Sequence, residues 1–263
     1  EAAKTNAVII MARLPQLPFQ AEANDHESYS LPGLQDELIK SVSKENPNVI
    51  VLLSTAGGVD MSKWINSVKS VAEVFYPGQE GGYAVANMLF GDVNPSGKLP
   101  VTYPKNLDEL DVNVVQPDFE KSVCAIGYRM FDKEKKTPQY VFGHGLSYTT
   151  YKYDNLHFEK EGDKVLVEFT ITNTGAVAGA ETPQVYVCPP KSEIERPEKE
   201  LKGFTKVHLL PGQEKNVCIR LNNNAFSYYS DTGHKWVKQT GEFIIETGSS
   251  SGDIRLSKTI IIK

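Results

Sequence analysis

YPGQEGGYAVANMLFGDVNPSGKLPVTYP, residues 76–104, is the stretch whose reading decides the fold. It closes an apolar, strand-like segment, Val71–Tyr76, which the turn pair Pro77-Gly78 brings to a stop. Glu80 then opens a helix in which Ala84, Val85, Met88 and Leu89 recur at three- and four-residue spacing. Gly91 ends that helix, because glycine accepts the left-handed backbone of a C-cap without a Cβ clash. Asn94-Pro95-Ser96-Gly97 makes a second turn, and Leu99–Tyr103 reads as a further short strand. Strand, turn, helix, turn, strand is one βαβ crossover, the unit of a parallel sheet. Gly78-Gln79-Glu80-Gly81-Gly82 could cradle a phosphate at the helix start. No Lys-Ser or Lys-Thr follows it, and a carboxylate at the mouth would repel phosphate, so these glycines read as packing and turn residues.

Upstream, Val8–Met11 is a continuous apolar run, the pattern of a buried parallel strand. A polar loop runs from Arg13 to Tyr29, and Leu31-Pro32-Gly33 leads into a helix with Leu34, Leu38, Ile39 and Val42 on one face. Val49–Leu53 is the next buried strand, Ser54–Asp60 a loop, and Met61–Ser70 a short helix carrying Trp64 and Val68. This alternation predicts a doubly wound α/β domain with a parallel-type sheet and flanking helices. Ligands in such domains gather at the carboxyl ends of the strands, where the loop after Val8–Met11 departs. Glu1–Thr5 reads as a helix tail, so the chain is expected to begin inside a domain whose sheet is incomplete here.

Downstream the alternation is lost. Lys105–Pro138 is polar and irregular apart from Ala125–Asp132, AIGYRMFD, and Phe142–Tyr148 is a glycine-punctuated turn. From Tyr151 the pattern changes to short strands. Val165, Val167, Phe169 and Ile171 alternate with more polar neighbours, and strands follow at Gln184–Cys188, Leu201–Leu209, Glu214–Leu221, Gly241–Thr247 and Ile254–Ile262. About seven strands with turns every 8–12 residues predict an all-β sandwich of the immunoglobulin or fibronectin type III kind. The expected division is an α/β domain over residues 1–118, a linker over 119–150 and the sandwich over 151–263.

A length of 263 residues has room for two domains, and a charged fraction of 23% with aromatics at 10% is ordinary for a soluble globular chain. The net charge of −5 points away from nucleic acid and anionic membranes as partners. No apolar run approaches the roughly 20 residues of a membrane-spanning helix, and EAAKTNAVII lacks the plan of a signal peptide. Cytoplasmic and secreted locations are both compatible with these features. Cys124, Cys188 and Cys218 show no metal spacing and are expected to be free, the last two as small buried hydrophobes.

PGQEGG and FGDVNPSGKLPVTYP resemble the closing part of the α/β-sandwich domain of glycoside hydrolase family 3. GYRMFD and FGHGLSYTTYKYDNL resemble that family's linker, and RPEKELKGF, LLPGQEK and GSSSGDIRL its fibronectin-like domain. The matches occur in the family's order and cover nearly the whole chain. The resemblance implies the C-terminal portion of a retaining β-glycosidase, closest to the β-glucosidase branch, needing no cofactor.

The chemistry such an enzyme needs is two carboxyl groups, one giving a proton to the leaving oxygen and one attacking the sugar. Glu22 and Asp25 lie in the loop Gln20–His26, QAEANDH, but two carboxyls three residues apart do not easily flank a sugar ring. Taken alone, the pair reads as a solvated acidic loop. The resemblance changes this reading. Family members carry a Glu-Gly-aromatic-Asp-Arg run ahead of a Leu-Pro-Gly-x-Gln helix start, and here Glu22-Ala23-Asn24-Asp25-His26 precedes Leu31-Pro32-Gly33-Leu34-Gln35. The family's general acid/base therefore maps onto Glu22, and Asp25 and His26 onto orienting the loop or binding substrate. Ala23, Asn24 and His26 depart from the family pattern.

The family nucleophile is an aspartate in a Ser-Asp-Trp type motif on a (β/α)8 barrel. Trp64 and Trp236 each follow a lysine, so no such motif occurs in this sequence. The implied partners are a barrel domain or polypeptide carrying that aspartate and a β-linked oligosaccharide or aryl glucoside substrate, with a homo-oligomer left open. A β-xylosidase of the same family and a non-catalytic carbohydrate-binding or assembly module are the alternatives. His144 and Ser147 resemble a nucleophile–base pair, but GHGLS is not G-x-S-x-G and reads as a turn. His208 and His234 stand singly, without metal spacing. Arg196, Lys199, Lys202 and Lys206 read as a solvated strand face or a domain-packing patch.

Overall fold

The computed structural model describes residues 1–14, 28–106, 126–192 and 194–263. Its contacts divide the described residues into two units, Glu1–Asp92 with Tyr103–Val114, and Val93–Thr102 with Val115–Lys263.

In the first unit β1 (Val8–Arg13), β2 (Val49–Ser54) and β3 (Ser70–Glu73) form a parallel sheet in the order β1-β2-β3. The register pairs Val8 with Val49 and Val51 with Val71, so all three carboxyl ends reach one edge. β2 is central and mostly buried, as its unbroken apolar run requires. β1 is not buried on both sides as its run predicts. Ile10 and Ala12 are buried while Ile9 and Met11 are exposed at 51% and 52%, because side chains alternate and only one face of the strand is covered in this chain.

α1 (Gln35–Glu45) connects β1 to β2. Of its expected apolar face, Ile39 alone is fully buried, while Leu34 and Leu38 are exposed at 77% and 53%. The helix docks instead through a polar contact that periodicity does not reveal. Buried Asp36 accepts hydrogen bonds from the indole Nε1 of Trp64 and from Lys63 Nζ, both at 3.0 Å. The segment expected as a helix over Met61–Ser70 holds only a 3-10 turn, Ile65–Ser67, set between Trp64 and the start of β3. α2 (Gly81–Phe90) starts after Glu80 and ends at Gly91, whose φ of 85° makes the left-handed C-cap.

The expected strand at Leu99–Tyr103 is absent, and with it the βαβ unit around α2. Pro100 and Pro104 remove two backbone donors, which disfavours a sheet ladder. The backbone of Leu99 is satisfied elsewhere. Its N–H donates to the carbonyl of His144 and its carbonyl accepts from Gly143 N–H, each at 2.8 Å. Asn94 completes this arm, donating to the Ala178 carbonyl and accepting from Ser147 Oγ and Tyr148 N–H.

In the second unit α3 (Tyr128–Glu134) precedes a β-sandwich. One sheet pairs β4 (Tyr151–Glu161), β5 (Lys164–Asn173) and β10 (Glu214–Leu221) antiparallel in the order β10-β5-β4. The other orders β14 (Asp253–Ile262), β13 (Gly241–Ser250), β7 (Gln184–Cys188) and β8 (Glu200–Phe204) as β14-β13-β7-β8. The alternating residues Val165, Val167, Phe169 and Ile171 point inward against Val185, Val187, Phe243 and Ile245. The expected strand Leu201–Leu209 divides into β8 and β9 (Val207–Leu209), because β9 leaves the sheet to pair with β6 (Gly179–Glu181). A separate hairpin, β11 (Ser227–Ser230) with β12 (Lys235–Lys238), raises the count above the seven expected.

Cys188 and Cys218 are free. Cys188 is half-buried in β7, but Cys218 is exposed on β10 and not the buried hydrophobe expected, since its neighbours Val217 and Ile219 take the inward positions. Cys124 lies outside the described residues.

Candidate functional site

The edge where β1, β2 and β3 end is where an open α/β sheet binds ligands, and it carries a dense polar cluster. Glu22, Asp25 and His26 lie outside the described residues. The residues on either side of that stretch are described, and both sides are anchored to this edge.

On the outgoing side, Leu14 N–H donates to the carbonyl of Ser54. Gln35, the last residue of the Leu-Pro-Gly-x-Gln match, clamps Arg13 through both ends of its amide. Its Oε1 accepts from Arg13 N–H at 2.9 Å, and its Nε2 donates to the Arg13 and Pro32 carbonyls at 3.0 Å. On the returning side, Asp60 N–H donates to the Tyr29 carbonyl at 2.8 Å and Ser30 bridges Asp60 in parallel.

At the same edge, Glu73 is the last residue of β3. Its Oε1 accepts from the backbone N–H of Phe75 at 2.8 Å and of Thr55 at 3.3 Å. Its Oε2 lies 2.8 Å from Thr55 Oγ1 and accepts from Tyr103 Oη at 3.1 Å. Burial pushes the carboxyl above the ordinary range, against the pull of its bonds to Thr55, Phe75 and Tyr103. Phe75 has a φ of 49°, a left-handed conformation that costs a non-glycine residue energy. It is held there from both sides, its N–H by Glu73 and its carbonyl by Ser54 Oγ at 2.7 Å. Thr55 and Tyr103 are both fully buried.

Tyr29 packs over Gly58 so closely that a Cβ there would lie 2.2 Å from the phenol oxygen, so the turn requires glycine. Burial, then the charge of Asp60, raises the Tyr29 phenol far above its ordinary range, and Tyr103 is raised likewise by burial and by Glu73. Both phenols stay protonated and can only donate or accept hydrogen bonds as neutral groups. Neither Thr55 nor Glu73 stands out in the sequence by motif, and Tyr103 lies in the FGDVNPSGKLPVTYP run without that run giving it a role. Thr55 comes just after the apolar run of β2, and Glu73 is the one charged residue inside the apolar segment Val71–Tyr76.

The second unit contains a recess of about 320 Å³ lined by Lys98, His144, Glu181, Asp253 and Arg255 among others. Its charges are matched internally, Lys98 to Glu181 at 3.0 Å and Arg255 to Asp253 at 2.6 Å. His144 and Ser147 both line it without forming a nucleophile–base pair. Ser147 Oγ donates to Asn94 Oδ1, and the His144 ring stacks on Tyr140. Burial, then Lys98, lowers the His144 pKa and keeps the ring neutral. Arg196, Lys199 and Lys202 are a packing patch: Arg196 and Lys202 pair with Glu200, and Lys199 with Asp132 of α3. His208 and His234 gain no ligating neighbours: among the described residues no group of three or more His, Cys, Asp or Glu is placed to hold a metal ion. No helix among them is long and apolar enough to cross a membrane.

Residues 1–148 match the glycosyl hydrolase family 3 C-terminal domain, and residues 181–251 the fibronectin type III-like domain. Thermostable beta-glucosidase B of Acetivibrio thermocellus is 38% identical over 268 residues, covering 98% of this chain and 35% of the relative. An exo-alpha-(1->6)-L-arabinopyranosidase of Bifidobacterium breve is 37% identical over 270 residues, covering 100% of this chain and 36% of the relative. The crystal structure of a GH3 beta-glucosidase of Bifidobacterium adolescentis superposes with a TM-score of 0.93 at 37% identity, covering 99% of this chain and 40% of that one. The chain spans about a third of the length of these curated relatives. With the family's C-terminal domain matched over more than half of its length, the chain belongs to glycosyl hydrolase family 3.

Proposed function

We propose that this chain serves as the C-terminal part of a retaining β-glycosidase, most like a β-glucosidase, and that Glu22 is its general acid/base. The observation that carries the reading is the double anchoring of the Glu22 segment at the carboxyl ends of β1 and β2, through Leu14, Gln35 and Asp60. Both flanks of the Glu22 segment are thereby held at the edge where open α/β sheets bind ligands. The nucleophile is an aspartate on a (β/α)8 barrel outside residues 1–263. In this reading residues 1–118 form the α/β domain, 119–150 the linker and 151–263 the sandwich.

The chemistry runs in two steps. Glu22, protonated, gives its proton to the glycosidic oxygen as the barrel aspartate attacks the anomeric carbon and the leaving group departs. The resulting carboxylate then takes a proton from water, which attacks the glycosyl-enzyme and releases the sugar with retention. Asp25 and His26, on the same loop, orient it or touch the sugar. In the assembled enzyme the two carboxyls approach about 5–5.5 Å when substrate is bound. The substrate is a terminal β-D-glucosyl residue of an oligosaccharide or aryl glucoside. The arabinopyranosidase relative, equally similar over the full chain, favours a second reading in which the same machinery acts on another pyranose, as in a β-xylosidase.

The test uses the full-length polypeptide. Glu22→Ala lowers turnover of unactivated disaccharides by about 10²–10⁴-fold, while glycosylation by an activated aryl glycoside falls far less and added azide restores part of the turnover. Wild-type hydrolysis of cellobiose and xylobiose by that variant would remove Glu22 from the mechanism.

A further inference from the structure

The cluster around Glu73 contains more short oxygen–oxygen contacts than an ionised carboxylate can satisfy. Thr55 Oγ1 lies 2.6 Å from the Gly57 carbonyl oxygen and 2.8 Å from Glu73 Oε2. A threonine hydroxyl carries one proton. A carbonyl oxygen can only accept, so if Glu73 is ionised both neighbours of Thr55 Oγ1 are acceptors and one contact is left without a proton. A proton on Glu73 Oε2 resolves the whole set. Oε2–H donates to Thr55 Oγ1, Thr55 donates to Gly57, Tyr103 donates to Oε2, and Oε1 remains a carbonyl oxygen accepting from Thr55 and Phe75 N–H.

We propose that Glu73 is held as a neutral carboxylic acid and acts as the positioning residue for the base of the Glu22 loop. The positioning half of this rests on the role given above to Glu22. The route runs through Thr55. Its neighbour Ser54 is the acceptor of Leu14 N–H, where the loop leaves β1, and Ser54 Oγ also holds the strained Phe75. Proton loss from Glu73 forces Thr55 to abandon either Gly57 or the carboxylate, and the turn after β2 must shift. The titratable groups at hand are Tyr103 and, past it, Tyr29 and Asp60. The two phenols are held protonated, and Asp60 acts through Tyr29. The raised affinity of Glu73 for its proton agrees with this arrangement.

Two measurements test the two halves separately. Carboxyl-carbon NMR titration of the full-length polypeptide, assigned by loss of one signal in Glu73→Gln, should find the Glu73 carboxyl raised far enough from the ordinary 4.5 to remain protonated at pH 7. A Glu73 carboxyl found ionised at pH 7 overturns the neutral acid whatever Glu22 does. In the full-length polypeptide, Glu73→Ala should lower kcat by about 10–10²-fold, the scale of a small misplacement of reacting groups, with KM changed less. Glu73→Gln, whose amide can still donate to Thr55 Oγ1, should recover most of that loss and remove the alkaline decline that Glu73 contributes. A Gln variant as impaired as the Ala variant would mean that negative charge is required, and unchanged kcat in the Ala variant would leave Glu73 no positioning role. Loss of Glu22 as acid/base would appear separately, in the Glu22→Ala kinetics, and would not move the Glu73 midpoint.

Discussion

Glu73 in the first unit and Glu200 in the second are both withdrawn from water, and the chain treats them in opposite ways. Glu73 is surrounded by hydroxyls and backbone N–H groups, and burial raises its pKa. Burial opposes ionisation of Glu200 too, but Lys202, Arg129 and Arg196 outweigh it and hold that carboxyl below its ordinary range. The pH response of stability therefore differs in sign. The raised folded pKa of Glu73 makes its contribution fully present below the unfolded value near 4.5 and lost as pH rises through the folded value. The depressed folded pKa of Glu200 makes its contribution present above about 4.5 and lost as pH falls through the folded value. The difference lies in how each region surrounds its carboxyl. The first places hydroxyls and backbone N–H groups around Glu73 at a strand edge. The second uses charge to lock α3 against β8, with Arg129, Lys199 and Tyr128 all reaching across.

Apolar packing offers a second comparison, between the closed sandwich core, where Phe169, Phe226, Phe243 and Ile245 are fully buried, and the outer face of β1, where Ile9 and Met11 are exposed. The largest expected effect follows from this. Phe243→Ala, which removes a ring packed edge-on against Phe226 at 5.3 Å, should cost the sandwich about 3–5 kcal/mol in denaturant unfolding. Ile9→Ala should change stability by no more than about 0.5 kcal/mol. Equal losses from the two would erase the contrast between the sandwich core and the outer face of β1.

Glu200→Gln comes next. It keeps the shape but removes the charge that Arg129, Arg196 and Lys202 share, and should cost about 1.5–3 kcal/mol at neutral pH. The cost should shrink as the pH falls and the wild-type carboxyl itself becomes protonated. A loss independent of pH would show that packing, not charge, holds this joint. Tyr128→Phe is smaller. It strips the acceptor from Leu201 N–H, bonded at 3.0 Å, while keeping the ring stacked on Phe142, and should cost about 1 kcal/mol by thermal unfolding.

The smallest effect belongs to the cysteines. Cys218→Ser should leave stability within about 0.5 kcal/mol, because the thiol is exposed. In the native chain an alkylating agent should label Cys218 before Cys188, whose thiol burial pushes up to about 12. Faster labelling of Cys188 would mean that β7 opens more readily than the packing around it allows.

The comparison also marks how far the sequence could be read. The sandwich was legible because its information is local: alternation over Val165–Ile171 places each side chain on a face without knowledge of its partner. The α2 boundary was legible for the same reason, since Gly91 carries its own conformational signal. Leu99–Tyr103 was misread as a strand because apolar character does not say which backbone will pair with it, and here His144 and Gly143 take both groups of Leu99. Leu34 and Leu38 have helical spacing yet are exposed, while Asp36 is buried, because a bond to Trp64 over a separation of 28 residues decides how α1 docks.

By itself the sequence determined the order of the two domains, the alternating core strands of the sandwich and the segment that names the family, all properties of residues near one another in the chain. The tertiary structure alone brought Thr55, Glu73 and Tyr103 to one strand edge, from three segments far apart in the chain. Counting donors and acceptors needs oxygens within hydrogen-bonding distance of one another. Those distances are set by the parallel register of β2 and β3 and by the return of the chain at Tyr103, not by spacing along the sequence.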